Sequence, residues 1–324
     1  MPVTGRAFAA LQAVQYEMQR NPNIVYSQQG SIGSAARPDG KSINIVNEFG
    51  LDRNLARMGQ AIDEDWMGGS SIGYAFTGHP AIVVMPSMTI LFSIEMIFEQ
   101  AGKMMHMSGG QIKVPLVYWI GGAGRAAGPA GQHADAGQET QYANLPGAKV
   151  VSPHKVYDVK GLMHSAIQDG GLVVFYNYTT EASADIPDEP YTVPIGKAQI
   201  LQEGTDITIA TLPPANLEVE KALPLLKQEG IKAEYFDTRT LKPFDEDTLV
   251  KSVTKTKRLL VVSHGHYTSD FASHIVAVAA QYVSGAKFRI IAFPDAPPPG
   301  ARSMINWMVP DAPKIVDAAK KLLT

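Results

Sequence analysis

The chain contains no cysteine, and this absence excludes several kinds of chemistry at once. Disulfide bonds, metal sites built on thiolates and cysteine nucleophiles are all ruled out. A chain without cysteine is also typical of a reducing compartment. The opening segment, Met1–Arg6, lacks the apolar core of a secretory signal, and no run of about 18 apolar residues follows that could span a membrane. We therefore expect a cytoplasmic protein.

Charge is also scarce and evenly spread. Charged residues make up 18% of the 324 residues, and the formal net charge is −3. Without a basic patch, nucleic acid is not an expected partner. Hydrophobic residues account for 45% of the chain, which is enough to build a large buried core. The length suggests two domains.

Short apolar runs alternate with helical patterns along the whole chain. Apolar strands without polar alternation are typical of a parallel sheet that helices cover on both faces. Residues 184–191, rich in Pro, Asp and Glu, are predicted to form an interdomain linker. The sequence predicts an α/β fold of two doubly wound domains, a first with a mostly parallel sheet over residues 1–186 and a smaller one over residues 187–324.

Some helices can be placed from their caps and their apolar spacing. Thr4 and Ser269 are predicted to cap two of them. The stretch from Ile90 to Met105 is predicted to be one long apolar helix. Its methionines are typical of flexible core packing and also of a subunit contact. The first helix is predicted to bury Phe8, Leu11, Val14 and Met18.

In sheets of this kind, functional sites form in the loops beyond the carboxyl ends of the strands. That rule points to the loops that contain Glu64, residues 86–89, residues 121–133 and residues 264–267.

Three consecutive acids, residues 63–65, stand between an apolar segment and a glycine pair at a predicted helix start. An acid in the first turn of a helix is stabilised by the helix dipole and is commonly solvated. Glu64 could instead be a proton-sharing carboxyl in a dry pocket. The residues alone leave both interpretations open.

Glycine recurs between Gly121 and Gly131, after a predicted strand and just before His133. So much glycine indicates a backbone that approaches something closely. The run is not the dinucleotide fingerprint, because residue 127 is alanine. His133 is a candidate for moving protons or stabilising charge, with a surface-loop histidine as the alternative.

Two further groups suggest little chemistry. His264 and His266 lack a third ligand at a plausible spacing, so no metal site is expected on this chain. The serine pair Ser70 and Ser71 lacks a nucleophile elbow, which argues against a serine hydrolase.

Several motifs, spread over both predicted domains, together resemble one family. The chain is similar to the beta subunits of thiamine diphosphate-dependent 2-oxo acid dehydrogenases, which combine a transketolase-like pyrimidine-binding domain with a transketolase C-terminal domain. The similarity runs roughly from Thr4 to Leu323. The matching motifs are Ile62–Glu64 followed by Gly69, Gly73 and Gly78; Met107–Gln111; Gly131–His133; Lys160–Leu162; and Asp237–Asp245.

The resemblance implies a role for each candidate residue. The aminopyrimidine of thiamine diphosphate must be hydrogen-bonded to a carboxyl group before the cofactor can react. Glu64, rather than Asp63 or Asp65, matches that carboxyl. His133 matches a catalytic histidine that faces the thiazolium and the substrate. The residues implied to bind the pyrimidine end are Ile62, Glu64, Met85, Thr89 and Phe92.

One feature of thiamine enzymes is missing from the sequence. They hold the diphosphate through Mg²⁺ bound at a Gly-Asp-Gly motif, and this chain contains none. The resemblance therefore implies an alpha-type subunit that carries the diphosphate and Mg²⁺ site. It also implies a second copy of this chain, with a lipoyl transacylase as a further candidate partner.

The chain departs from the family pattern around the substrate. Val83 stands where an acid is usual, Trp66 where a small residue is usual, and Thr89 where an aromatic is usual, with Phe92 about one turn away. Residues 134–137 replace a Ser-Gln run after the histidine. Two alternatives therefore stay open: a split transketolase-like carboligase or C–C lyase without lipoyl transfer, and a non-catalytic structural subunit.

Overall fold

The computed structural model describes residues 3–28, 33–55, 63–86, 90–121, 137–178 and 181–324. These residues form two compact units. Residues up to 121 and residues 142–195 build the first unit, and residues 137–141 and 196–324 build the second. The predicted boundary at residues 186/187 stays a prediction.

The first unit is organised around parallel strands. Five of them run side by side in the order β7-β8-β6-β5-β2, all parallel. Two antiparallel pairs, β1 with β9 and β3 with β4, complete its strands. The strand bounds are β1 Val3–Gly5, β2 Val25–Gln28, β3 Ser34–Ala36, β4 Ser42–Asn44, β5 Ala81–Pro86, β6 Leu116–Gly121, β7 Ala148–Val151, β8 Leu172–Tyr176 and β9 Ser183–Asp185.

Apolar faces of the helices in the first unit cover this sheet. The predicted burial of Phe8, Leu11, Val14 and Met18 is confirmed, and these side chains share one core cluster with strands β5, β6 and β8. The helix bounds are α1 Arg6–Arg20, α2 Ile45–Phe49, α3 Glu64–Phe76, α4 Gly102–Met107, α5 Glu139–Ala143, which ends in this unit, and α6 Val156–Gln168.

The single long helix predicted from Ile90 to Met105 is wrong. The chain forms a 3₁₀ turn over Ile90–Ser93, then a π-helical turn over Met96–Ala101, and only then the short helix α4. A Cβ atom added at Gly102 would lie 2.7 Å from the Leu145 side chain, so the chain packs closely at this point. When almost every residue is apolar, the sequence has no helical periodicity from which a change of helix type could be predicted.

Residues 184–191, predicted to be a linker, pack against the first unit. Ser183–Asp185 is strand β9. The ammonium group of Lys160 donates to the carbonyl oxygens of Pro187 (2.6 Å), Asp188 (2.9 Å) and Glu189 (3.0 Å). The ring of Tyr191 stacks on Tyr157 with 4.3 Å between ring centroids. We call residues 187–193 the strap.

Glycine at position 161 lets the strap approach helix α6. A Cβ atom there would collide with the side chain of Val193 and lie 3.0 Å from the ring of Tyr191. The backbone N–H of Val193 donates to the Gly161 carbonyl at 3.1 Å, and Ser165 Oγ donates to the Val193 carbonyl at 2.6 Å. The Lys160–Gly161 pair therefore has a structural role, which is to hold the strap.

The second unit has its own sheet, in the order β10-β12-β11-β14-β15, with β10 antiparallel and the other strands parallel. A separate core cluster fills it. The predicted α/β class with two mostly parallel sheets is confirmed. The bounds are β10 Gln199–Gln202, β11 Ile207–Thr211, α7 Asn216–Gln228, β12 Ala233–Asp237, β13 Thr240–Lys242, α8 Glu246–Thr256, β14 Arg258–His266, α9 Phe271–Tyr282, β15 Lys287–Phe293, α10 Arg302–Met308 and α11 Ala312–Leu323.

Both predicted helix caps are wrong. Thr4 lies in strand β1, and the cap position of α1 is Gly5. Asp270, not Ser269, caps α9 by accepting the Phe271 N–H at 2.8 Å. The predicted loop at His264 is also wrong, because β14 continues to His266. Within the ranges described above, no helix is long and apolar enough to cross a bilayer.

Candidate functional site

Helix α3 begins at the acidic triplet, and the three acids differ in burial. Asp63 is exposed and caps the helix, its carboxylate accepting the N–H of Trp66 at 2.9 Å. Asp65 is exposed as well. Glu64 is only 7% exposed. Of the three acids, only Glu64 is therefore buried.

One turn further along α3, the helix packs on a buried polar cluster that we call the Tyr118 cluster: Met85, Ser93 and Tyr118. A Cβ atom at Gly68 would lie 3.2 Å from Ser93 Cβ and 3.9 Å from Tyr118 Oη, so glycine permits this close packing. Ser93 and Tyr118 share a short hydrogen bond. Tyr118 Oη also donates to Met85 Sδ at 3.0 Å.

The electrostatics of the Tyr118 cluster include the acids of α3. Burial raises the pKa of the Tyr118 hydroxyl, and the negative charges of Glu64 and Asp65 raise it further, while the hydrogen bond with Ser93 lowers it. Tyr118 is thus a neutral phenol, and its pKa depends on the charge of the Glu64 carboxylate.

Parallel strands β5 and β6 end level with one another near this cluster. Met85 pairs with Ile120, and Pro86 pairs with Gly121. Met85, a predicted cofactor-binding residue, is fully buried in β5. Phe92, another predicted residue, is 55% exposed on the 3₁₀ turn that leads to Ser93. Of the predicted residues, the structure thus places Met85 in the Tyr118 cluster, Glu64 close enough for its charge to act on Tyr118, and Phe92 next to Ser93 along the chain.

The remaining predicted residues, Ile62, Thr89 and His133, lie outside the described residues. Trp66, which stands where a small residue is usual in the family, is 45% exposed on the first turn of α3. Their roles, like those of the other site residues, stay predictions.

Ser93 and Tyr118 were not predicted from the sequence. Tyr118 lies in an apolar strand, and Ser93 lies in an apolar helical stretch. In these positions each resembles an ordinary core residue. The signal that could have found them is their hydroxyl groups, because a buried hydroxyl needs a hydrogen-bond partner. Two hydroxyl groups in neighbouring apolar segments therefore indicate a hydrogen bond between them.

This chain has two α/β units with mostly parallel sheets and a buried carboxyl at a helix start, an architecture that is common among cofactor-binding α/β proteins. Two family models match it: the transketolase pyrimidine-binding domain over residues 6–179 and the transketolase C-terminal domain over residues 196–315. The chain belongs to the thiamine diphosphate-dependent transketolase-like family, among the beta subunits of 2-oxo acid dehydrogenases.

Individual relatives agree with this assignment. The chain is 32% identical to the mitochondrial pyruvate dehydrogenase E1 component subunit beta-1 of Oryza sativa, over 95% of this chain and 84% of the relative. It is 31% identical to the acetoin:2,6-dichlorophenolindophenol oxidoreductase subunit beta of Cupriavidus necator, over 96% and 95%. It is 34% identical to the pyruvate dehydrogenase E1 component subunit beta of Rickettsia felis, over 86% of each chain.

A solved structure shares the fold. A split gene transketolase, described as an inactive beta4 tetramer, superposes with a TM-score of 0.79 at 18% identity and covers 98% of both chains. At that identity the likeness concerns the architecture alone. It agrees with the mostly parallel sheet found in each of the two units.

The pyrimidine end of thiamine diphosphate would need a buried carboxyl, and Glu64 is a carboxyl of that kind. Throughout the part of the chain that the structure describes, no three His, Asp or Glu side chains are grouped to hold a metal ion.

Proposed function

We propose that this chain provides the pyrimidine half of a thiamine diphosphate site and that Glu64 is its activating acid. When bound, thiamine diphosphate supplies the carbon nucleophile for attack on a 2-oxo group. Glu64 shares a proton with the ring nitrogen of the pyrimidine, and its buried position keeps water from taking that proton. The single observation that carries this proposal is the burial of Glu64 between two exposed acids.

The other predicted residues take supporting roles in the proposal. Met85 packs against the pyrimidine, and Phe92 offers an aromatic face in place of Thr89. Ile62 adds apolar surface beside Glu64. His133 moves a proton or stabilises charge on the substrate carboxylate. Trp66, bulky and partly exposed, narrows the substrate pocket relative to the family pattern.

An alpha-type subunit completes the active enzyme in this proposal. The absence of Gly-Asp-Gly leaves this chain without the usual Mg²⁺ and diphosphate motif. The alpha-type chain holds Mg²⁺ and the diphosphate, while this chain holds the pyrimidine. The cytoplasmic location expected from the sequence stays a prediction, since some of the relatives are mitochondrial.

The isolated chain should bind thiamine diphosphate with Mg²⁺ weakly or not at all, because it has no Gly-Asp-Gly motif to hold the metal and the diphosphate. Isothermal titration calorimetry on the purified chain measures this directly. The matched titration uses the chain reconstituted with its alpha-type partner, where saturable binding is expected. Tight, stoichiometric binding to the chain alone would contradict the two-subunit proposal.

A second expected result concerns assembly. Within one chain, Phe92, Met105 and Met107 are large apolar side chains with exposures of 55%, 41% and 73%. Surfaces of this kind are typical of subunit contacts. We expect two copies of this chain related by a twofold axis, together with two alpha-type chains. Light scattering of the native complex should give a heterotetramer, and a monodisperse monomer would refute the prediction.

Product analysis of the reconstituted complex separates the reaction types. Incubated with a 2-oxo acid and an artificial electron acceptor, a dehydrogenase subunit releases carbon dioxide and reduces the acceptor. A carboligase or C–C lyase forms or cleaves a carbon–carbon bond without reducing it. If the chain is a structural subunit, substitution of Glu64 should change the rate of neither reaction.

A further inference from the structure

Helix α3 buries one regularly spaced face, and Glu64 is the first residue of that face. The spacing of three and four residues is that of a helix packed on a core along one stripe. The others in the stripe are apolar or small, so Glu64 is a carboxylate at a core position. The buried residues of the helix are Glu64, Met67, Gly68, Ser71, Ile72 and Ala75.

Gly68, in the middle of this face, is a glycine with a steric reason. Glycine destabilises a helix interior relative to alanine, yet α3 contains Gly68, Gly69 and Gly73. A Cβ atom at Gly73 would meet nothing within 4 Å, and one at Gly69 would reach only Met96 Sδ, at 3.9 Å. At Gly68 it would lie 3.2 Å from Ser93 Cβ, closer than carbon atoms normally pack. Of the three glycines, only Gly68 is therefore required by its neighbours.

The surface beneath Gly68 is held in place by its own contacts. Ser93 Cβ is attached directly to the backbone of its 3₁₀ turn. Ser93 and Tyr118 are both fully buried and are hydrogen-bonded to one another, and the Tyr118 hydroxyl donates to Met85 Sδ at 3.0 Å. A side chain at position 68 would therefore push the helix outward instead of displacing the Tyr118 cluster.

Glu64 lies one helical turn before Gly68. Four residues separate them, which places both on the same face of α3, about 6 Å apart along its axis. Besides burial, the charge of Glu64 raises the pKa of the Tyr118 hydroxyl, so the carboxyl is near enough to the Tyr118 cluster for its charge to act there. An outward shift of the helix at Gly68 would therefore carry Glu64 outward as well.

We propose that Gly68 is a positioning residue for Glu64, because its contact with Ser93 sets the depth at which helix α3 holds that carboxyl. Gly68 itself touches no reacting group. Its effect on cofactor activation rests on the proposed function, whereas its effect on the burial of Glu64 does not. An added Cβ atom needs roughly 0.3–0.8 Å more space to reach an ordinary carbon–carbon distance of about 3.5–4.0 Å. A displacement of about 1 Å at a reacting group can cost roughly 100-fold in rate.

Carboxyl labelling of the purified chain tests the depth of Glu64 and needs neither cofactor nor substrate. Carbodiimide with glycine ethyl ester modifies exposed carboxylates, and tandem mass spectrometry separates Glu64 from Asp63 and Asp65. In Gly68→Ala, Glu64 should be labelled severalfold faster than in wild type, while the two exposed aspartates keep their rates. Equal labelling of Glu64 in Gly68→Ala and in wild type would overturn the proposal.

Two further variants show whether the effect comes from the contact with Ser93. Gly73→Ala is the matched control, because the same change in the same helix meets nothing, and Glu64 should stay protected. Ser93→Gly removes the atom nearest to the new Cβ, so Gly68→Ala/Ser93→Gly should protect Glu64 as well as Ser93→Gly alone does. If Gly68→Ala does not fold, the double variant should fold and protect Glu64. Failure of this rescue, or equal labelling in Gly73→Ala and Gly68→Ala, would overturn the proposal.

Exchange of the thiazolium C2 proton, measured by NMR in the reconstituted complex, tests the consequence for activation. Gly68→Ala should slow this exchange by roughly tenfold, and Gly73→Ala should stay within about twofold of wild type. Exchange at the wild-type rate in Gly68→Ala, with slow exchange in Glu64→Gln, would overturn the positioning role. If Glu64→Gln itself exchanged at the wild-type rate, the proposed function would fail, while the labelling experiment would still decide whether Gly68 keeps Glu64 buried.

Discussion

Replacing Glu64 with glutamine should slow exchange of the thiazolium C2 proton of bound thiamine diphosphate by roughly 10²–10⁴. Glutamine keeps the size of the side chain but has no carboxyl proton to share with the pyrimidine. Proton exchange, followed by NMR in the reconstituted complex, requires no knowledge of the substrate. The folded structure should be unaffected, since Glu64 is not the cap of α3.

The neighbouring acids provide matched controls. Asp65→Asn changes an exposed carboxylate one position away, and Asp63→Asn keeps an oxygen that can cap the helix. Both should exchange within a few-fold of wild type. If Glu64→Gln exchanged as fast as these variants, Glu64 would be no more than a helix-start acid stabilised by the dipole, and the proposed function would lose its main support.

Replacing Lys160 with methionine should lower the free energy of unfolding by about 3–5 kcal/mol. Methionine fills the space of the lysine stem but leaves three partly buried carbonyl oxygens of the strap without their donor. It also removes the cation that lies 5.2 Å from the centroid of the Tyr191 ring. Burial lowers the pKa of Lys160 to about 8. At pH 7 the group is therefore mainly an ammonium, with one N–H for each carbonyl.

Equilibrium urea unfolding at pH 7 measures this loss. Lys113→Met in the same unit is the control, because Lys113 is exposed and the same change should stay within about 0.5 kcal/mol of wild type. Limited proteolysis should cut near residues 187–193 first in Lys160→Met. A loss below about 1 kcal/mol for Lys160→Met would show that water replaces the ammonium, and that the strap is held by Val193 and Tyr191 instead.

Elements with a clear apolar period were predictable from the sequence. Helix α11, Ala312–Leu323, buries a regularly spaced apolar face, and strand β5, Ala81–Pro86, is a continuous apolar run. In both, the signal is local, because the side chains that pack into the core lie within one short segment. The burial of one face of α1 was predictable for the same reason.

Elements that depend on distant partners were not predictable. Thr4 sits in β1 only because Ala184 pairs with it, and residues 184–191 were interpreted as a linker because their partners lie in α6. The winding of residues 90–107 was hidden by apolar residues on every face. In each case the contact that determines the structure is made with a residue far away in sequence, so local periodicity cannot predict it.

The candidate site likewise contains some residues that could be predicted from the sequence and others that could not. Glu64 was selected through a resemblance, and its burial next to two exposed acids is a structural finding that the sequence of three acids could not supply. Ser93 and Tyr118 were missed because their hydrogen bond joins two apolar segments that are 25 residues apart.

The division of the chain between the two units has a consequence for protein engineering. Residues 137–141 belong to the second unit, although residues up to 121 and residues 142–195 build the first. A single cut of the gene near codon 195 would therefore leave residues 137–141 in the first fragment, separated from the unit to which they belong. A chimera that exchanges the second unit between relatives should work best when residues 137–141 are exchanged with it.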